Sequence, residues 1–187
     1  MARSGSSKPR PPLDRKGLEE LALRYVGKYA TTRAKLTSYL ARKLRERGWS
    51  HSAEPDLEAI ANRFSELGYV DDAAYALAKS QALSSRGYGR HRLDQKLRQA
   101  GIGEEDGLDA RAHADRQSVD SALRYAERRK IGPFGPSRGD PKQRERAIGA
   151  MVRAGHSFGV ARAIVDWPED TPIDLGEIAD RAGRTLS

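Results

Sequence analysis

"LDQKLRQAGI", residues 93–102, decides the fold of this 187-residue chain, because its pattern occurs twice more in the sequence. The segments "LARKLRERGW" (40–49) and "AIGAMVRAGH" (147–156) align with it without gaps. Two apolar residues four positions apart share one helical face, and a following glycine is a common helix stop. These are Leu40, Leu44 and Gly48; Leu93, Leu97 and Gly101; and Ala147, Met151 and Gly155. The sequence therefore predicts a helical unit repeated three times.

The sequence around these segments continues the helical periodicity. Apolar residues recur every three or four positions through residues 18–29 and 57–67, and the two-residue alternation of strands is absent. We therefore predict an all-α chain of three three-helix repeats, at residues 16–68, 69–117 and 118–167. A disordered basic arm is predicted at residues 1–15, and a poorly ordered or loosely docked tail at 168–187. The Gly- and Pro-rich loop 131–140 should end at Asp140, the N-cap of a helix that begins at Pro141.

Composition narrows the class of partner. Hydrophobic residues make up 37% of the chain and charged residues 32%, which suits a thin apolar layer between helices. The net charge of +8 favours polyanions or an acidic protein surface as partner. The lack of cysteine excludes disulfides and thiolate chemistry. With neither a signal peptide nor a membrane-spanning run in the sequence, we expect a cytoplasmic protein.

Motifs for catalysis are lacking. The GYG at residues 87–89 is not a dinucleotide fingerprint, since it has no preceding strand or third glycine, and no GK[ST] follows to make a P-loop. Asp71 and Asp72 are better explained as helix-capping residues than as metal ligands, because adjacent helical residues point about 100° apart. The four histidines lie far apart in sequence. We predict no catalytic residue, no metal site and no cofactor.

The stretch "SSRGYGRHRLDQKLRQAGI", residues 84–102, is the candidate binding segment. If a helix begins near Gly89, then Arg92, Lys96 and Gln99 share one face beside the apolar stripe. Cations at this spacing can contact phosphates or carboxylates, with a tyrosine at the loop tip as a stacking or interface anchor. A merely solvated basic face is an equally open interpretation. The candidate residues are Arg86, Tyr88, Arg90, Arg92, Lys96 and Arg98.

The segment "ELGYVDDAAYALAKSQALSSRGYGRHRLDQKLRQAGI", residues 66–102, resembles the RecX family, bacterial regulators of the RecA recombinase. The matching features are an LGY[LV]DD entry, an RG-x-G turn and a basic helix that ends in GI. "ALRYAERRK" and "DPKQRERAIGAMVRAGHSFGVARAIV" are similar to the C-terminal repeat of the family, and residues 16–67 to its N-terminal repeat. The resemblance covers about 150 residues and agrees with the three-repeat prediction.

The resemblance implies an elongated tandem array of three-helix repeats that binds, as a monomer, in the groove of a RecA filament on single-stranded DNA. It implies inhibition of ATP hydrolysis, strand exchange and co-protease activity, without catalysis by the chain itself. The six candidate residues are then partner contacts, whereas others in the matched segment are packing and capping residues: Leu67, Gly68, Tyr69, Leu93, Leu97 and Gly101. The alternative is a helical module that binds single- or double-stranded DNA without sequence preference and without a RecA partner.

Overall fold

The computed structural model describes residues 11–135, 140–168 and 170–184. The described part is all-α, as predicted, with one short 3-10 turn at Gly132–Phe134 and one isolated bridge between Leu13 and Trp49. Ten α-helices follow one another in these ranges: α1 Arg15–Val26, α2 Arg33–Arg47, α3 Leu57–Glu66, α4 Asp72–Ser85, α5 Arg90–Ala100, α6 Leu108–Arg116, α7 Ser118–Arg129, α8 Pro141–Arg153, α9 Phe158–Val165 and α10 Leu175–Gly183.

The helix ends follow from local sequence signals. Gly48, Gly101 and Gly155 all have positive φ, between +70° and +99°, at the ends of α2, α5 and α8. Glycine adopts this region without the steric penalty that a Cβ imposes. Asp140 accepts a hydrogen bond from the backbone N–H of Gln143, and Pro141 is the first residue of α8. The predicted stops and this predicted helix start are therefore confirmed.

The chain divides into two compact units, residues 1–72 and 73–187. In the first unit, α1, α2 and α3 enclose a core that includes Leu18, Leu36 and Leu40. Asp72 is buried, and its carboxylate accepts hydrogen bonds from the backbone N–H and the Nε–H of Arg33, at 2.9 and 3.2 Å. It thus caps the start of α2 from 39 positions away in the sequence. The interpretation of this aspartate as a capping residue is correct, but its hydrogen bonds reach a distant helix.

One expectation for the first unit was wrong in the part of the chain that the structure describes. Residues 1–10 of the predicted arm lie outside the described residues, but Leu13 is buried and joins the core. Its backbone N–H donates to Gly48 and its carbonyl accepts from Ser50, both at 2.9 Å. Leu67 and Tyr69, expected as packing or capping residues, are 59% and 54% exposed, although Leu67 is the C-cap of α3 and the ring of Tyr69 contacts Phe64 with centroids 5.6 Å apart. They follow the end of α3 and line an open apolar groove.

The second unit contains α5 to α10 and nearly all of α4. Leu93, Leu97 and Ala110 belong to one core cluster, and Met151, Ile164 and Ile178 belong to a larger one. The buried residues of α6 are the small side chains Ala110 and Ala114. Ion pairs between the two helices, Arg90 with Asp115 and Arg111 with Asp94, add to the α5–α6 contact.

The prediction of a loosely docked tail was also wrong. Asp174 caps α10 by accepting from the backbone N–H of Glu177, and Ile178 and Ala182, four residues apart, face the interior. Gly159 at the start of α9 allows close packing, since a Cβ there would lie 3.2 Å from the carbonyl carbon of Ala182. Helix α10 therefore completes the larger core of the second unit.

Candidate functional site

The turn between α4 and α5, which holds the RGYG sequence, packs against a second turn in the same unit. The backbone N–H of Gly89 donates to Ala154 at 3.1 Å, and the backbone N–H of His91 donates to Gly155 at 3.0 Å. The α4–α5 turn is thereby joined to the turn between α8 and α9, more than 60 residues later. These backbone hydrogen bonds fix the start of α5 against the end of α8.

The glycines of this turn make the close approach possible. Gly87 has a φ of +75°, and a Cβ there would lie 2.8 Å from the backbone nitrogen of Tyr125. A Cβ on Gly89 would overlap the carbonyl oxygen of Gly155 and lie 2.6 Å from the nitrogen of His156. Glycine at both positions is therefore explained by backbone contact between helical layers, as expected of a turn and not of a phosphate-binding loop.

His156 lies buried beneath this contact. Its Nε2 is 3.1 Å from the carbonyl oxygen of Gly87, which can only accept, so Nε2 carries the proton. Among the described residues, its Nδ1 meets no hydrogen-bond partner. Burial lowers the pKa of His156 from 6.5 to about 4, although the hydrogen bond to Gly87 opposes the shift. The imidazole is therefore neutral at physiological pH.

Above this contact lies a groove that we call the arginine cleft. It has a volume of about 470 Å³ and combines cations with two tyrosine rings and two alanines. Of the described side chains that line it, none is acidic. The lining residues come from α4–α5, α7 and α8: Tyr88, Arg92, Tyr125, Arg128, Arg129, Ala150, Arg153 and Ala154.

The tyrosine rings and backbone carbonyls position two of the arginines. The guanidinium carbon of Arg92 lies 6.0 Å from the ring centroid of Tyr88, and that of Arg128 lies 5.6 Å from the ring of Tyr125. Arg128 also donates to the carbonyl of Arg86 at 2.6 Å. Cation–π contacts of this kind orient the guanidinium, and a guanidinium has five N–H groups, so one hydrogen bond, from Arg92 to Gln95 or from Arg128 to Arg86, leaves others for a partner. The cleft is thus arranged to receive carboxylates or phosphates.

The structure places only two of the six candidate residues, Tyr88 and Arg92, in the arginine cleft. Arg86 and Arg98 have exposed side chains, and Lys96 is half-buried with its Nζ donating to Gln99 at 3.1 Å. Arg92 donates to Gln95 at 2.9 Å. The predicted shared face of Arg92, Lys96 and Gln99 is therefore polar and follows α5 away from the cleft.

Arg90 is a correction, because the exposure expected of the candidate cations does not hold for it. Its side chain is 30% exposed, and it donates to both carboxylate oxygens of Asp94, to Asp115 and to the backbone carbonyl of Arg111. Burial lowers the pKa of Arg90, but hydrogen bonds and charge attraction to Asp94 and Asp115 outweigh it and leave the pKa raised. Arg90 therefore links α5 to α6 through its bonds to Asp115 and to the carbonyl of Arg111.

The sequence-based candidate list omitted three arginines of the cleft: Arg128, Arg129 and Arg153. The first two lie in the basic cluster "ERRK" at the end of α7, outside the segment 84–102 from which the candidates came. Arg153 occupies the position aligned with Gln99 in the repeat, so the repeat alignment gave no reason to select it. Only the packing of α7 and α8 beside the α4–α5 turn brings these residues together.

The described part of the chain offers neither a cluster of metal ligands nor a membrane-spanning helix. Within it, no group of three or more His, Asp or Glu side chains is placed to hold a metal ion. No helix in the same ranges is long and apolar enough to cross a bilayer.

Comparison with known proteins agrees with the resemblance seen in the sequence. Residues 71–107 match the family model described as RecX, second three-helix domain. "Regulatory protein RecX" of Myxococcus xanthus (strain DK1622) is 31% identical over 157 residues, covering 80% of this chain and 84% of the relative. "Regulatory protein RecX" of Thermobifida fusca (strain YX) is 32% identical over 151 residues, covering 78% and 75%. The extent and identity of these matches show that the chain belongs to the RecX family of regulatory proteins.

Proposed function

We propose that this chain regulates homologous recombination by binding, as a monomer, to a RecA filament on single-stranded DNA. Binding lowers the ATP hydrolysis, strand exchange and co-protease activity of the recombinase, and the chain performs no catalysis itself. The observation that carries the proposal is the arginine cleft, where four arginines and two tyrosines line one groove in a member of a regulatory family. The proposed partner surface is acidic.

The cleft is chemically suited to such a surface. A guanidinium presents paired N–H donors that match a carboxylate, and arginine and tyrosine are enriched among the strongest contacts of protein interfaces. The net charge of +8 accelerates encounter with a polyanionic filament. Backbone hydrogen bonds join the α4–α5 turn to the α8–α9 turn, and Arg128 of α7 donates to the carbonyl of Arg86, so these segments are held together before the partner arrives.

The test is DNA-stimulated ATP hydrolysis by RecA, titrated with substoichiometric amounts of this chain. For the variant Arg92→Ala/Arg129→Ala/Arg153→Ala, we expect the protein concentration that gives half-inhibition to rise at least about tenfold. Each lost charge-assisted contact weakens binding to the filament. The matched control is Arg116→Ala, an exposed arginine on α6 outside the cleft. Unchanged hydrolysis at every ratio of the native chain would exclude the proposed function.

The same titration ranks the remaining candidates. Single alanine variants of Arg86, Lys96 and Arg98 show whether the contact continues along α5 from the cleft. Equal inhibition by all three variants and the native chain confines the contact to the cleft. Arg90 is left out of this series because its ion pairs make it a structural residue.

A further inference from the structure

The first unit carries a second surface that combines tyrosines with cations. It lies where the end of α1 and the turn after it meet the middle of α2, and it forms a groove of about 550 Å³. We call it the tyrosine surface. Its lining residues are Arg24, Tyr25, Lys28, Tyr29, Tyr39, Arg42 and Lys43.

Packing explains two of the three tyrosines. The rings of Tyr25 and Tyr39 stack with centroids 4.1 Å apart and an angle of 12° between planes. Both are half-buried and pack against the core of the first unit. Tyr29 is different, because its side chain is 49% exposed and its ring meets Tyr25 at 5.3 Å with a tilt of 52°. Core packing therefore does not account for a large ring at position 29.

The backbone holds Tyr29 in place. Helix α1 ends at Val26, and the backbone N–H groups of Lys28 and Tyr29 both donate to the carbonyl of Tyr25, at 3.1 and 3.0 Å. The ring contact with Tyr25 fixes the side chain from one side. An exposed ring that is ordered before binding loses less entropy when a ligand stacks on it.

Cations surround this ring and the stacked pair. Lys28 Nζ lies 5.4 Å from the ring centroid of Tyr29, and Arg42 and Lys43 lie 5.6 and 5.9 Å from that of Tyr39. Two carboxylates offset part of the charge. Glu20 lies 3.6 Å from Arg24, and Glu46 lies 2.6 Å from Lys43 and 3.9 Å from Arg42. Four cations against two carboxylates leave a positive surface.

We propose that the tyrosine surface binds single-stranded nucleic acid, with a base stacked on Tyr29 and neighbouring phosphates meeting Lys28, Arg24 and Arg42. Stacking on an aromatic ring beside cations is the recurrent chemistry of single-strand binding, and it tolerates any base. A duplex keeps its bases stacked on each other and offers only phosphates. An acidic protein segment meets the cations through its carboxylates, but it does not bring a planar ring to each contact, whereas every nucleotide pairs a phosphate with a base that has a π-face. The combination of an exposed ring with neighbouring cations therefore favours single-stranded nucleic acid as the ligand. Binding at this site does not require the recombinase of the proposed function.

The test uses the full chain and a fluorescein-labelled oligothymidylate, followed by fluorescence anisotropy at low salt with no recombinase present. Loss of one stacked base predicts that Tyr29→Ala raises Kd about 5- to 150-fold, whereas Tyr29→Phe retains near-native binding because the ring is kept. Lys28→Ala should make the plot of log association constant against log salt concentration less steep by about 0.7, the contribution of one phosphate of a single strand.

The controls separate stacking from charge and from misfolding. Tyr69→Ala removes a tyrosine of similar exposure, 54%, that lines a different groove of the same unit, and it should leave binding unchanged. Far-UV circular dichroism checks that Tyr29→Ala retains its helices. A duplex of the same length should bind Tyr29→Ala and the native chain equally.

Three results would overturn the proposal. In the first, Tyr29→Ala binds the oligonucleotide like the native chain. In the second, Tyr29→Phe loses as much affinity as Tyr29→Ala, which would make the hydroxyl the contact. In the third, Tyr29→Ala changes only the inhibition of ATP hydrolysis, so that the surface serves a protein partner. The first two outcomes come from an assay that contains no recombinase, so they do not depend on the proposed function. The third is read separately, in the ATP hydrolysis assay.

Discussion

Acid should destabilise the second unit through His156, whose imidazole is buried against the carbonyl of Gly87. Burial lowers its pKa from 6.5 to about 4 in the folded chain, so below about pH 6.5 the unfolded chain binds a proton that the folded chain does not. The free energy of unfolding therefore falls as the pH falls from about 6.5 to about 4. Below that range this contribution stays constant.

The size of the effect follows from the two pKa values. With a His156 pKa of about 4 in the folded chain and 6.5 in the unfolded chain, proton linkage lowers the free energy of unfolding by about 2 kcal/mol between about pH 7.5 and about pH 5. The loss reaches about 3 kcal/mol once the pH is well below 4. The loss at pH 5 is a large share of the stability of an ordinary domain, which is roughly 5–15 kcal/mol.

The assay is urea denaturation at the two pH values, followed by fluorescence of Trp167, a buried residue of the second unit. A Trp49→Phe background removes the tryptophan of the first unit, so that the signal reports the second. The comparison is with His156→Gln, which keeps an N–H donor near Gly87 but does not titrate. On acidification, the free energy of unfolding of the protein with His156 should fall by about 2 kcal/mol more than that of the His156→Gln variant.

Equal pH dependence in the two proteins would refute the reasoning, because it would mean that the folded chain protonates His156 as readily as the unfolded chain. If His156→Gln does not fold, an NMR titration of the native imidazole gives the same answer. A measured pKa of His156 near its ordinary value would show that the imidazole is not desolvated in this turn contact.

Three further substitutions test the packing of the second unit, each read by thermal and urea unfolding. Gly89→Ala places a methyl group against the carbonyl of the α8–α9 turn and should lower the free energy of unfolding by about 1–3 kcal/mol through overpacking. Gly103→Ala is the control, because a Cβ there meets nothing within 4 Å, and it should be near neutral. Equal effects of the two substitutions would contradict the close approach at Gly89. Leu97→Ala should cost about 2–5 kcal/mol because Leu97 is fully buried, and a change within error would show that the apolar stripe points outward. Arg90→Ala should cost about 1–3 kcal/mol through its lost bonds to carboxylates, while exposed Arg98→Ala stays within about 0.5 kcal/mol; the reverse order would restore Arg90 as a free contact residue.

Much of the fold was predictable because its signals are local. Apolar residues four positions apart, with a glycine after each segment, predicted the helices that end at Gly48, Gly101 and Gly155. The Asp140-Pro141 pair predicted the start of α8. Each of these signals acts within one or two helical turns, so the sequence alone contains the information.

The tail and the arm were mispredicted because their order depends on distant partners. Ile178 and Ala182 form too short an apolar stripe to predict a docked helix, and the close contact at Gly159 supplies the rest. Leu13 is ordered by hydrogen bonds to the chain around Gly48. The proline- and serine-rich sequence before Leu13 does not indicate that Leu13 forms hydrogen bonds with the chain around Gly48.

The sequence by itself determined the helical class, the repeated glycine stops, the excess of positive charge and the family. Which arginines share the cleft depends on tertiary packing. Arg90 pairs with Asp94 one turn along α5, and the packing of α6 adds Asp115 as a second partner from 25 positions later. Arg92, Arg129 and Arg153 share a cleft because two turns meet through glycine backbones. Helical periodicity specifies the face on which a side chain lies, but the partner of that face depends on how distant helices pack.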